Sequence, residues 1–208
     1  MDELLLSLFP LEVVLFPGQT LPLHIFEERY KEMIGECLEN RSEFGVVLVK
    51  ENAILNVGCT AEITAVTRRH KDGRLDIETM GRRRFEVLFL DQKKAYLRAA
   101  TQFFEDEAAP AAPDLRRRAL ELHAEVLELL YSDPEDRSPH KVEDDAPQLS
   151  FKLAGPLPVE LDFKQLLLAL RSESERLEKL VEYLQKLRPR LRLASRVRSK
   201  AGGNGQGR

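Results

Sequence analysis

The chain has 208 residues, of which 43% are hydrophobic and 32% charged, with a formal net charge of -3 at pH 7. That composition suits one domain or two small packed subdomains with a sizeable core, and it excludes a strongly charged chain that cannot fold. Its apolar runs, such as Leu4-Leu5-Leu6 and Leu166-Leu167-Leu168, fall far short of the roughly 20 residues needed to cross a bilayer.

The start carries Asp2 and Glu3, and the apolar stretch after them is interrupted by Ser7, Pro10 and Glu12, which argues against an export signal. A cytoplasmic location without membrane contact is the expectation. Cys37 and Cys59 then read as reduced packing residues instead of a disulfide or a metal site.

The first distinctive text is Phe9-Pro10-Leu11, followed by Leu15-Phe16-Pro17-Gly18-Gln19-Thr20-Leu21-Pro22-Leu23-His24-Ile25-Phe26. Prolines at 17 and 22 fix φ and Gly18 supplies a hinge, so this loop could present Phe16 and Leu21 in a set shape at little entropic cost, or pack both inward. Between Glu27 and Asn40 the period becomes helical. Tyr30, Met33, Ile34, Cys37 and Leu38 form one apolar stripe suited to lie on a sheet, and Glu27 and Glu28 favour the positive end of the helix dipole.

Short β-prone runs follow at Val46–Val49, Ala61–Val66, Leu75–Thr79, Phe85–Leu90 and Tyr96–Phe104. Several alternate apolar with polar residues, as antiparallel strands with one wet face do. Asp72-Gly73 between two of them signals a hairpin turn, and Gly58 and Gly81 mark further punctuation or close backbone approach.

Prolines, small residues and acids from Glu105 to Pro113 form a subdomain boundary. Asp114 is the expected N-cap of a helix whose stripe is Leu115, Leu122, Val126, Leu129 and Leu130, ending near Tyr131. Residues 132–147, polar and proline-containing, are expected to form a mobile loop. Short helices are expected at Leu149–Ala154 and Leu161–Leu170. Ser172 with Glu175 makes a capping box for a last helix, which should stop before Pro189.

Residues 188–208 carry seven Lys or Arg and no acid, while residues 106–187 carry eleven basic and eighteen acidic side chains. The Gly-rich end should be largely disordered, and its charge either touches phosphates or acidic surfaces or merely keeps it solvated. The fold class read from these patterns is α+β: a β-rich part over 1–105 with one helix, a helical subdomain over 113–188, and a basic tail over 189–208.

The text from Phe9 to Tyr30 closely resembles the opening of the Lon N-terminal, or LON substrate-binding, domain. The same family pattern continues through Phe44–Val49, Val57–Ile63, Asp72–Leu75 and Gly81–Val87, and more weakly through Leu149–Ala154 and Glu173–Leu177. The resemblance implies a PUA-like β-barrel or sheet subdomain with one helix, followed by a small helical bundle. It also implies a stand-alone recognition module of the Lon (S16) protease family, without ATPase and peptidase domains. Its implied partners are unfolded or degron-bearing polypeptide segments, or another protein for which it acts as adaptor.

Chemistry-bearing patterns are sparse. A phosphate-cradling loop needs glycines leading into a Gly-Lys step, which this sequence lacks. Ser199-Lys200 lies in the tail, where a nucleophile and its base cannot be held in a pocket. His24, His70, His123 and His140 are scattered, and His24 with Glu27 or Glu28 makes at most half of a metal site. His123, on a charged helix, reads as solvated.

The expectation is therefore no catalytic residues, no cofactor and no metal. Phe16, Pro17, Gln19 and Leu21 are the candidate polypeptide contacts. Arg82, Arg83 and Arg84 are the alternative, a phosphate-binding cluster that, with the basic tail, would serve an RNA-binding PUA-like module. Strand alternation would send two of the three arginines to one face, and Arg84 could instead partner an acid such as Glu27 or Glu62.

Overall fold

The computed structural model describes residues 5–131, 133–137, 140 and 142–202, with 134 and 195–202 described by backbone alone. The chain forms two compact units, Met1–Asp106 with Val159–Ala169, and Glu107–Pro158 with Leu170–Arg208.

The first unit holds β1 (Leu6–Leu11), β2 (Thr20–Ile25), α1 (Glu28–Asn40), β3 (Phe44–Lys50), β4 (Ala53–Arg69), β5 (Leu75–Asp91), β6 (Arg98–Phe104) and α5 (Leu161–Ala169). The strand order is β2-β5-β4-β3-β1-β6, and a further β5–β6 pairing closes five of the strands into a ring. β2 stands outside that ring and pairs only with the first half of β5. The β1–β3 pairing is parallel and the others are antiparallel. The parallel return requires a crossover, which β2 and α1 supply.

Side chains of Leu8, Val47, Phe85 and Ala99 fill the ring. The Phe85 ring occupies space that only glycines leave open, since a Cβ at Gly45 or Gly58 would come within 2.6 Å or 2.5 Å of its Cζ. Close packing of this kind explains why two glycines sit inside strands that they would otherwise weaken. The α1 stripe lies as its spacing predicts, with Tyr30, Met33, Ile34 and Cys37 buried, and Tyr30 stacks on Phe9 of β1 at 4.1 Å. Asp72 and Gly73 form the β4–β5 turn, with Gly73 at φ 83°. Both cysteines are free and buried, and burial pushes the Cys59 thiol up to about 12.

Two strands lie outside the β-prone runs of the sequence. β1 and β2 contain Pro10 and Pro22, and a proline inside an apolar run lowers its strand signal. A residue without an N–H fits a strand wherever that donor would face away from the ladder.

The second unit contains α2 (Pro113–Leu130), α3 (Pro134–Arg137), α4 (Leu149–Ala154) and α6 (Glu173–Gly202). The helix α5 does not belong to it, which corrects the expected helical subdomain over 113–188. Gln165 of α5 donates to the Val57 carbonyl of β4 at 2.9 Å, and the Leu168 carbonyl accepts from Arg84 at 3.0 Å, so polar anchors fix α5 on the sheet. The N-cap of α2 is Ala112, with Pro113 opening the helix. Asp114 lies instead in the first turn, because proline's fixed φ suits the first helical position. Ser172 caps α6 as expected, its Oγ accepting from the Glu175 N–H at 3.3 Å.

The last helix does not stop at Pro189 but runs to Gly202. Proline removes one backbone bond, yet Arg188 and Arg192, on either side of it, both reach Glu125 of α2 at 2.9 Å and 3.5 Å. The expected tail disorder therefore fails for 189–202, and residues 203–208 lie outside the described residues. Within the expected loop over 132–147, residues Pro134–Arg137 form α3, while Ser132, Ser138, Pro139 and Lys141 lie outside the described residues.

His123 is buried, not solvated, among Ala119, Leu122, Val126 and Leu127. Desolvation first, and the nearby His140 second, push its pKa down to about 4, against an opposing hydrogen bond with the Leu153 backbone. The folded value lies below the unfolded one, so the unfolded chain binds more protons between about pH 4 and 6.5. Stability is fully present above that window and is lost as pH falls through it. Urea unfolding should show wild type losing about 2 kcal/mol between pH 7 and 5 relative to His123→Leu. Equal pH slopes in the two proteins would remove this account.

Candidate functional site

The loop between β1 and β2 is a clasp on β5. The Gly18 N–H donates to the Gly81 carbonyl at 2.9 Å, the Gly81 N–H donates to the Gln19 carbonyl at 2.9 Å, and the Gln19 N–H closes the turn on the Phe16 carbonyl at 3.1 Å. The Gln19 side-chain Oε1 accepts from the Phe16 N–H at 3.2 Å. Phe16 is fully buried. Of the expected polypeptide contacts, Phe16 is therefore core and Gln19 serves its own loop. Pro17 and Leu21 are only partly exposed, and the Leu21 carbonyl accepts from the Thr79 hydroxyl at 2.7 Å. A buried ring and a side-chain amide engaged within its own loop cannot together face a client.

The arginine triple is likewise engaged. Arg82 pairs with Glu62. Arg83 pairs with Glu43 at 3.1 Å and lies over the Phe103 ring at 4.1 Å. Arg84 is buried, bound to Asp106 and to the Leu168 carbonyl, and covers the Phe104 ring at 4.6 Å. The expected alternation fails because the register shifts between Cys59 and Ala61. There Thr60 stands opposite two residues of β5, and its hydroxyl accepts from the Arg83 N–H at 2.9 Å. Each cation thus has an acidic partner, and Arg84 answers to Asp106 rather than to Glu27 or Glu62.

A cleft of about 330 Å³ opens between β1 and β2, one of several among the described residues. Phe9, Pro10 and Leu11 of β1 form one wall, Leu23, His24 and Ile25 of β2 the other, and the start of α1 closes the end. Phe26 at its rim is 59% exposed. Arg29 lies over the Tyr30 ring at 4.6 Å and pairs with Glu27 at 2.7 Å, giving the apolar floor a charged border. Burial, opposed by Arg29 and aided by Glu27, raises the Tyr30 pKa, so its hydroxyl stays protonated. Along this cleft runs the edge of β2 that has no partner strand among the described residues. In the sequence the alternation Leu21, Leu23, Ile25 marks this strand, but Pro22 within it masks the signal.

A second apolar strip, Leu88-Phe89-Leu90, is exposed at 62%, 50% and 42%. The register shift between Val87 and Phe89 breaks the strand's alternation and turns three consecutive apolar side chains outward. Among the described residues no helix is long and apolar enough to cross a membrane.

Known proteins resemble this chain in structure and in sequence. A solved Lon N-terminal domain protein from Xanthomonas campestris superposes with a TM-score of 0.69 at 27% identity, covering 86% of this chain and 98% of that one. A Lon protease from Anaeromyxobacter dehalogenans (strain 2CP-C) is 24% identical over 202 residues, 91% of this chain and 24% of the relative. Protein cereblon from Xenopus tropicalis is 33% identical over 81 residues, 37% of this chain and 18% of the relative. The chain thus spans no more than about a quarter of these two relatives' lengths. The family model described as the ATP-dependent protease La (LON) substrate-binding domain matches residues 6–186, and the chain belongs to that family.

Proposed function

We propose that this chain is a non-catalytic binding module that takes up extended polypeptide, of the unfolded or degron-bearing kind, and acts in the cytoplasm as an adaptor for client segments. The observation that carries this reading is the cleft between β1 and β2, bordered by an unpaired strand edge and rimmed by Phe26. An unpaired edge offers main-chain hydrogen bonds to any extended segment, and apolar pockets alongside take alternate side chains. Family membership supports a substrate-binding role, and the similarity to cereblon over part of the chain is compatible with it.

The RNA-binding alternative loses its basic cluster, since Arg82, Arg83 and Arg84 are held by Glu62, Glu43 and Asp106. The test is fluorescence anisotropy with labelled unfolded polypeptide and, in parallel, single-stranded RNA. Phe26→Asp should weaken polypeptide binding by about tenfold, the loss of roughly 1.4 kcal/mol of apolar contact. Leu88→Asp should leave it nearly unchanged. Raising salt from about 50 to 500 mM should alter polypeptide affinity little, whereas phosphate contacts would lose orders of magnitude. Binding that is indifferent to Phe26→Asp, or that collapses with salt, sinks the reading.

A further inference from the structure

His24 projects from β2, Asp76 from β5 and His70 from the turn that follows β4, and the fold brings all three together. His24 and Asp76 are direct partners in the β2–β5 register. His24 Nδ1 lies 2.5 Å from Asp76 Oδ1, and His70 Nε2 lies 2.9 Å from Asp76 Oδ2. The ligand-capable atoms of the three residues all lie within 4.8 Å of one another.

From this cluster we infer a binding site for a divalent first-row transition ion of the zinc class, with His24, His70 and Asp76 as its protein ligands. Two imidazoles and one carboxylate are a donor set that such ions favour over magnesium or calcium, which require mostly oxygen. Ligands at about 2.0–2.2 Å in a tetrahedral shell stand about 3.4 Å apart, so adjustments of about an ångström in side chains near the surface complete the set. Three protein ligands leave a fourth position for water or for a group on an incoming molecule.

The frame holding these ligands is stiff. The His70 N–H donates to the Arg74 carbonyl at 2.9 Å across the hairpin, and the Thr67 hydroxyl donates to the Asp76 carbonyl at 3.1 Å. Lys31 of α1 holds the turn through the Asp72 carbonyl at 3.2 Å. A fixed backbone frame limits the reorganisation that binding requires to the side chains. The side chains of His24 and Asp76 are 44% and 33% exposed, which leaves an entry route for the ion.

The test is titration of the purified chain with Co²⁺, followed by displacement with Zn²⁺. Wild type should develop the intense visible bands of low-coordinate Co²⁺ at one equivalent and lose them to Zn²⁺. His24→Gln, His70→Gln and Asp76→Asn should each weaken Zn²⁺ binding, measured by equilibrium dialysis, by about tenfold or more. His140→Gln should not. Absence of the bands on wild-type protein overturns the site without recourse to any variant. So does their persistence in the His24→Gln, His70→Gln double variant shown by circular dichroism to be folded.

Discussion

Gly81→Ala is expected to destabilise the chain by about 3–5 kcal/mol in chemical denaturation, read by circular dichroism. A Cβ at Gly81 would sit 2.1 Å from the Phe16 carbonyl oxygen and 3.1 Å from Leu15 Cγ. Neither neighbour is a flexible side-chain end that can swing away. Relief requires moving the Phe16–Gln19 turn, which breaks the paired hydrogen bonds between Gly81 and the residues Gly18 and Gln19 and draws Phe16 from the core. Overpacking costs about 1–3 kcal/mol, and each buried backbone group left unpaired adds about 1–3 kcal/mol. Gly35→Ala is the matched control. Nothing lies within 4 Å of its added Cβ, inside α1, so the same chemical change should stabilise by up to about 1 kcal/mol. A Gly81→Ala protein that unfolds at the wild-type denaturant concentration would dismiss the clasp.

The clasp also bears on the proposed polypeptide binding. It lies in the connection between β1 and β2, the two walls of the cleft, so it sets the spacing between them. A loosened clasp should lower polypeptide affinity even in the fraction of Gly81→Ala molecules that remains folded. The most distinctive text in the sequence, Phe16-Pro17-Gly18-Gln19, holds its own turn on β5 through Gly81.

Features carried by local spacing were legible in the sequence. The α1 stripe, the Asp72-Gly73 turn and the Ser172 cap each depend on residues a few positions apart, and each lies where periodicity or turn chemistry puts it. Pairings across the fold were not legible. Nothing in the sequence ties Arg84 to the Leu168 carbonyl, 84 residues away, or His24 to Asp76, 52 residues away. The β2–β5 register creates the second of these, and β2 itself was hidden by Pro22.

His123 is a different case. Ala119, Leu122, His123, Val126 and Leu127 stand at i, i+3, i+4, i+7 and i+8, so the period placed His123 on the buried face, and only its polarity argued otherwise. Leu88-Phe89-Leu90 shows the reverse. Its apolar run reads as buried strand, but a bulge, which leaves no reliable mark in sequence, turns it to solvent.

The second large effect belongs to the helical unit, where Arg176 is fully buried. Its guanidinium donates to Glu173 Oε2 at 2.6 Å, to the Ser150 hydroxyl at 2.8 Å and to the Leu170 carbonyl at 2.8 Å, and it covers the Phe151 ring at 4.3 Å. Glu173 in turn accepts from the Ser150 N–H at 2.9 Å and from its hydroxyl at 2.7 Å. One cation therefore ties the start of α6 to α4. Arg176→Met should cost about 3–5 kcal/mol, because it leaves the buried Glu173 carboxylate without its countercharge. Adding Glu173→Gln to that variant should recover part of the loss, since the charge left uncompensated is then gone, whereas independent sites would simply add. Denaturant unfolding of the two single variants and the double variant closes the cycle. Strict additivity would show that Arg176 does not act through its charge on Glu173.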